Sequence, residues 1–377
     1  MIYLDHNATL PLHPEVIAAM MQAAASAWGN PASLHAAGRA ARRVLDDARE
    51  AVARLAAAHP RDVVFTSGGT EANNLGIARM FPDNRGLLVT SELEHPSVLA
   101  LADELRRRGV TVASLPPREG RFDSSDLADL LSREREPAAP CLVATHAVHP
   151  ETGIIQPVDE LLRVAEAHGA ELHLDAVQAA GRIAPASFRL AHSIALAAHK
   201  LQGPKGIGAL VTRPGVLVRP LVFGGAQERG IRPGTQDPVA ASGFGVAARL
   251  ALLSPSRWDA VRPLRDHLEQ TLASWSLAGG APTPTVGPRV PRAPHVAHLA
   301  FPRWAGDELV AALDLEGVCI SAGSACSAGT SEPSRAIRAI RGEEHARRSV
   351  RISLGSGTSA ADIEAAIAAF GRVLRRS

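Results

Sequence analysis

Apolar and polar positions along this chain alternate between two rhythms. Short apolar runs of strand length occur at 62–66, 86–90, 110–115, 141–145, 171–174, 193–197 and 208–211. Longer stretches whose apolar residues recur at helical spacing lie among them: 36–58, a segment opening near Glu71, 97–108, 123–132 and 158–168. Strands alternating with helices predict an α/β fold with a mainly parallel sheet covered on both faces. In such sheets ligands bind beyond the carboxyl ends of the strands. At the amino end, an apolar run at 2–4 stops at Asp5-His6-Asn7, and a helical stretch at 14–27 stops at Gly29-Asn30-Pro31. After about Ser254 the rhythm changes: a proline-rich stretch at 281–294 separates helix-like segments at 258–275 and 306–315, and an apolar helix at 359–374 closes the chain. The pattern predicts a large α/β domain over 16–253 and a smaller α+β domain built from 1–15 and 254–377.

Composition narrows the function classes. The net charge is +2 with 21% charged residues, so no field singles out nucleic acid or a membrane surface as partner. No apolar run is long enough to span a bilayer, and the first residues lack a basic region followed by an apolar signal core. Three cysteines, Cys141, Cys319 and Cys326, make no disulfide framework and suit a reducing compartment, so a cytoplasmic protein is expected. No paired Cys/His spacing points to a metal site.

Candidate chemistry begins with lysine. Lys200 and Lys205 are the only two lysines; every other member of the 40 Lys+Arg is arginine. Arginine does not lose its proton to attack a carbonyl, whereas a desolvated lysine does, so Lys200, in Ala-His-Lys before a Gly-Pro-Lys-Gly turn, is a candidate for covalent chemistry. A surface loop that happens to hold two lysines is the competing reading. Asp175 ends a buried-looking strand and suits pairing with a protonated ring nitrogen, or capping of the next helix. Gln178 follows it. Ser67-Gly68-Gly69-Thr70 joins a strand to a helix and offers a phosphate cradle, or an ordinary turn. His95 could stack on a flat ring and move protons. Cys326 sits in a run of small residues, 321–331, and reads either as a thiol displayed for reaction or as an inert loop cysteine. Arg351, inside an apolar run, needs an anion, supplied by a substrate carboxylate or by a structural carboxylate.

Jointly these segments resemble the cysteine desulfurases, pyridoxal 5'-phosphate enzymes of the class V aminotransferase group with fold type I. The resemblance runs through Tyr3-Leu4-Asp5-His6-Asn7-Ala8-Thr9, Gly29-Asn30-Pro31-Ala32-Ser33-Leu34-His35 and Phe65-Thr66-Ser67-Gly68-Gly69-Thr70-Glu71-Ala72-Asn73. It continues in Glu151-Thr152-Gly153, Asp175-Ala176-Val177-Gln178, Ala198-His199-Lys200, Gly203-Pro204-Lys205-Gly206, Arg232-Pro233-Gly234-Thr235, Gly323-Ser324-Ala325-Cys326 and Arg351-Ile352-Ser353-Leu354-Gly355. It implies that Lys200 carries the cofactor, His95 stacks on its ring, Asp175 faces the ring nitrogen and Gln178 the phenolic oxygen. Gly69, Thr70 and His199 would hold the phosphate, with Thr235 arriving from the second subunit of a homodimer. Asn30 and Arg351 would grip the carboxylate of L-cysteine, and Cys326 would take its sulfur for delivery to an acceptor protein. A selenocysteine lyase, an aminotransferase-like enzyme and a weakly active scaffold relative are the alternatives. Two positions depart from the family: Pro150, where an asparagine usually donates to the phenolic oxygen, and Ala197, where a serine usually serves the phosphate.

Overall fold

The structure, a computed structural model, describes residues 1–183, 191–323 and 332–375. The chain opens with β1 (Ile2–Tyr3), and the predicted strand–helix rhythm then builds one seven-stranded sheet. Its strands are β2 (Val63–Thr66), β3 (Leu87–Thr90), β4 (Thr111–Ser114), β5 (Cys141–His146), β6 (Glu171–Asp175), β7 (Ser193–Ala197) and β8 (Gly208–Thr212). Every residue of β2, β3, β5 and β7 is buried, which is why they read as continuous apolar runs rather than alternating ones. The strand order is β2-β8-β7-β6-β5-β3-β4; β8 runs antiparallel to both neighbours and the remaining pairs are parallel. The order reverses between β3 and β5, the place where a doubly wound sheet opens a crevice at its carboxyl ends.

One core joins Val16 and the Ala36–Leu55 helix to the inner faces of the sheet and to the helix Pro238–Leu252. A second core gathers Leu4 with residues from Val261 to Leu374. Around it lie β9 (Thr283–Pro284), β10 (Val296–Ala300), β11 (Val318–Cys319) and β12 (Ser349–Ser353), with β10 antiparallel to both β9 and β12. β1 pairs in parallel with β11, and Asp5 bridges to Ser353. The amino-terminal arm is thereby threaded through the second core before crossing to the large sheet.

Two expectations change. The 258–275 segment is two helices, Pro255–Asp259 and Arg262–Ala273, because Pro263 can enter a helix only in its first turn and restarts it there. Cys319, whose Gly-Val-Cys-Ile context predicts a buried structural cysteine, is half-buried on the short strand β11. No single helix among the described residues is long and apolar enough to cross a membrane.

Candidate active site

The carboxyl ends of β3, β5, β6 and β7 open into a cleft of about 190 Å³ whose other wall is the arm at Asn7-Ala8 together with Arg351. Gly69, Thr70, His95, Asp175, Gln178, His199, Lys200 and Arg351 all line it.

One corner is built for an anion. The helix Gly69–Ala78 starts immediately after β2 with Gly68 as its N-cap and no side chain capping it, so its first N–H groups are left to a ligand. A Cβ on Gly69 would lie 2.8 Å from Val177 Cγ2, so only glycine lets the backbone close on this wall. His199 borders the same corner. Burial, then the charges of Lys200, Arg182 and Lys205, push its pKa down to about 4, so it serves as a neutral hydrogen-bonding ring.

The opposite side holds two groups suited to a flat heteroaromatic ring. Asp175 ends β6, and its carboxylate accepts from Val177 N–H at 3.0 Å and from Asn73 Nδ2 at 2.8 Å. His95 caps the helix Pro96–Arg108; its Nδ1 accepts from Ser97 N–H at 3.1 Å, which leaves the ring proton on Nε2. Lys200 sits on the 3₁₀ turn that follows β7, and its Nζ donates to the carbonyls of Asn7 and, at 2.8 Å, Ala8. Gln178 donates to Asn7 O at 3.0 Å and accepts from the Arg182 guanidinium.

Arg351, 1% exposed on β12, donates to Asp5 Oδ1 at 2.6 Å and to Pro150 O at 3.3 Å. The sequence left a structural pair and a substrate clamp open; the Asp5 pair is structural, while the guanidinium also lines the cleft. Pro150 and Ala197 both line it too, so both departures face the site. His149, beside Pro150, accepts on Nδ1 from Glu151 N–H and Thr152 N–H and so fixes the turn.

Two predicted residues are not brought to this cleft. Asn30 is exposed, its side-chain oxygen accepting from Ala32 N–H at 2.9 Å. Thr235 lies on an exposed surface segment. Cys326 falls outside the described residues. Both remaining cysteines are poor thiolates: burial pushes Cys141 up to about 11, and burial with Asp314 raises Cys319.

Sequence reasoning missed Asn7, Asn73 and Arg182. Asn7 donates to Pro150 O at 2.9 Å and accepts from Arg182 and His295 at 2.9 and 2.8 Å. Arg182 is 1% exposed over the face of Trp258, and its guanidinium is held by Gln178 Oε1, Asn7 Oδ1 and the carbonyls of His6 and Lys200. Burial, then Arg351, lowers its pKa to about 9. An arginine in a Gly-Arg-Ile context close after Gln178 was the only signal available.

A lysine amine, a carboxylate for a ring nitrogen, a flat imidazole and an uncapped helix start with a hydroxyl beside it form a donor set that fits pyridoxal 5'-phosphate. The comparisons agree. A family model, Aminotransferase class-V, matches residues 2–366. A cysteine desulfurase of Cereibacter sphaeroides is 41% identical over 96% of this chain and 93% of its own length. The cysteine desulfurase NifS of Azotobacter vinelandii is 36% identical over 97% and 90%. Among solved structures, a NifS-like protein from Rickettsia africae matches with a TM-score of 0.88 at 28% identity, covering 99% of both chains. The chain belongs to the class-V aminotransferase family and, within it, to the cysteine desulfurases.

Proposed function

We propose that this chain converts L-cysteine to L-alanine with pyridoxal 5'-phosphate as cofactor and Cys326 as the sulfur acceptor. The observation that carries the reading is the convergence of Lys200, Asp175 and His95 from three separate strand ends on one cleft. When bound, the cofactor supplies a conjugated ring that takes up the electron pair left by a departing Cα proton.

The residues divide the remaining work. Gly69 N–H, the Thr70 hydroxyl and neutral His199 hold the phosphate, Asp175 faces the ring nitrogen, and Gln178 faces the phenolic oxygen. Arg182 fixes the Gln178 amide by occupying its oxygen, so the Gln178 N–H₂ is the group left to donate. Lys200 Nζ accepts the Cα proton, and Arg351 grips the substrate carboxylate. His95 Nε2–H handles the thiol proton.

A homodimer completes the reading. Leu217, Val222 and Phe223 are 84%, 64% and 86% exposed on the segment that leads to Thr235, an apolar surface suited to a second copy. Thr235 then serves the partner's phosphate corner, and a separate acceptor protein collects the sulfur in the cytoplasm. The large domain spans 16–253 and the smaller one 1–15 with 254–377, a division supported by the two cores.

Borohydride reduction of the yellow protein followed by peptide mapping tests the assignment. Label on Lys200 is expected; label on Lys205, or a colourless protein that takes up no cofactor, overturns it.

A further inference from the structure

Helix Gly69–Ala78 carries a glycine, Gly76, three residues before its C-cap, where glycine costs about 1 kcal/mol relative to alanine. The reason lies behind the site: a Cβ at Gly76 would fall 2.4 Å from Cε1 of His173. The imidazole of His173 is fully buried on β6, two residues before Asp175, and burial holds its pKa at about 3. It is neutral, and the helix is shaped to admit it.

His173 Nδ1 lies 2.8 Å from Ser193 Oγ, and its Nε2 lies 3.0 Å from Asn73 Oδ1. The other end of the same amide, Asn73 Nδ2, donates to Asp175 Oδ2 at 2.8 Å and to Ser97 Oγ at 2.9 Å. Ser97 Oγ in turn stands 2.8 Å from His95 Nδ1. The carboxylate only accepts, so the Asn73 nitrogen must face Asp175 and its oxygen must face His173. An oxygen there requires the His173 proton on Nε2, and Ser193 then donates its hydroxyl to Nδ1. Having accepted from Asn73, Ser97 directs its own proton to His95 Nδ1. One amide, Asn73, thus touches the group proposed for the ring nitrogen and, through one hydroxyl, the group proposed for the ring face. Asn73 is 1% exposed.

We propose that Asn73, locked in one orientation by neutral His173, is the positioning residue that sets Asp175 and His95 together. The proposal rests on the functional reading above, because Asp175 and His95 matter as a pair only if a ring lies between them. His173 acts through Asn73 and touches neither substrate nor cofactor.

The first arm of the test needs no cofactor. In protein labelled with ¹⁵N-histidine, His173 is expected as the Nε2–H tautomer, unchanged from about pH 5 to about pH 8; a proton on Nδ1 overturns the proposal. The second arm uses the cofactor-loaded enzyme and follows exchange of the L-alanine Cα proton with D₂O. Losing a hydrogen bond to a charged group slows exchange about tenfold in Asn73→Ala and in His173→Leu, while the spectrally titrated affinity for L-alanine stays within about twofold. The double variant is expected to be no slower than Asn73→Ala, and His173→Gln, which keeps an N–H near the Nε2 position, to recover most of the loss. Additive losses, or unchanged exchange in Asn73→Ala, overturn the proposal. Should His173→Leu fail to fold, Asn73→Asp carries the test: it keeps an oxygen facing His173 but removes the donor, and exchange must slow. A wild-type protein that takes up no cofactor overturns the functional reading and leaves the first arm to decide the geometry.

Discussion

Replacing Asn7 by alanine should cost far more than an arm residue near the chain start ordinarily would. Asn7 is 1% exposed and ties the arm to both cores: its amide donates to Pro150 O and accepts from Arg182 and from His295 Nε2. Pro150 O keeps a second donor in Arg351, and Arg182 keeps its other oxygens, so each of those losses is worth about 1 kcal/mol. His295 has no such reserve. It is fully buried, and its Nδ1 has no partner among the described residues, so losing Asn7 orphans the ring at a cost of about 1–3 kcal/mol. The total, about 3–5 kcal/mol, is a large share of the roughly 5–15 kcal/mol that holds a folded protein together. Trp258 reports on this region, standing 4.7 Å from the His295 ring and beneath Arg182. Equilibrium urea unfolding followed by tryptophan fluorescence therefore measures the loss. Asn7→Asp keeps both accepted bonds and should lose less than half as much. A destabilisation below about 0.5 kcal/mol in Asn7→Ala would refute the view of Asn7 as the joint between arm and site.

Ala197 lines the cleft beside Gly69, its Cβ 3.6 Å from where a Cβ on Gly69 would lie, so Ala197→Ser restores a hydroxyl at the phosphate corner, and Pro150→Asn restores a donor on the opposite wall. Each should tighten cofactor retention on dialysis by about 0.5–1.5 kcal/mol, nearly additively; looser retention in both would mean that the wall is already adapted to proline and alanine. Folding stability should fall on acidification below pH 6.5, because His6 and His199 have pKa values of about 4 in the folded state and bind protons only when unfolded in that window. The stability they confer is present above the unfolded value of 6.5 and is lost towards pH 4, at about 1.4 kcal/mol per pH unit for each imidazole, so a flat profile between the two would contradict their burial. Arg49→Met removes the only cation paired bidentately with Glu228 among the described residues, leaving a 4% exposed carboxylate with just the Phe65 N–H and Gln236 amide as donors, and should destabilise by about 3–5 kcal/mol in urea; a neutral result would show that Glu228 protonates or moves.

The fold was legible where burial and rhythm coincide. Fully buried strands such as β5 and β7 announce themselves as apolar runs, and their ends fell within a residue or so of expectation. The helix Pro238–Leu252 was not singled out: it is packed between the helices Pro14–Ser26 and Ala36–Leu55, so it is apolar nearly all round and shows no polar face to fix a period. Strand direction leaves no mark on composition either, which is why β8, antiparallel to both its neighbours, reads like the parallel strands of the same sheet. At the site, residues at strand ends were legible because topology puts ligands there. Asn7, Asn73 and Arg182 were not, because the contacts that define them, Asn73 with Asp175, Arg182 with Asn7 and Asn7 with His295, join positions 102, 175 and 288 apart along the chain and only the fold reveals them.

We propose that sulfur leaves L-cysteine for Cys326 in the reaction that Lys200 starts. Incubating the cofactor-loaded protein with L-cysteine and no acceptor, then mapping it by mass spectrometry alongside alanine quantification, tests it most directly. One added sulfur is expected on the Cys326 peptide, none on those of Cys141 and Cys319, with alanine formed in step with the first sulfur. Alanine released at full rate by Cys326→Ser, or sulfur carried on either of the other two cysteines, would contradict it.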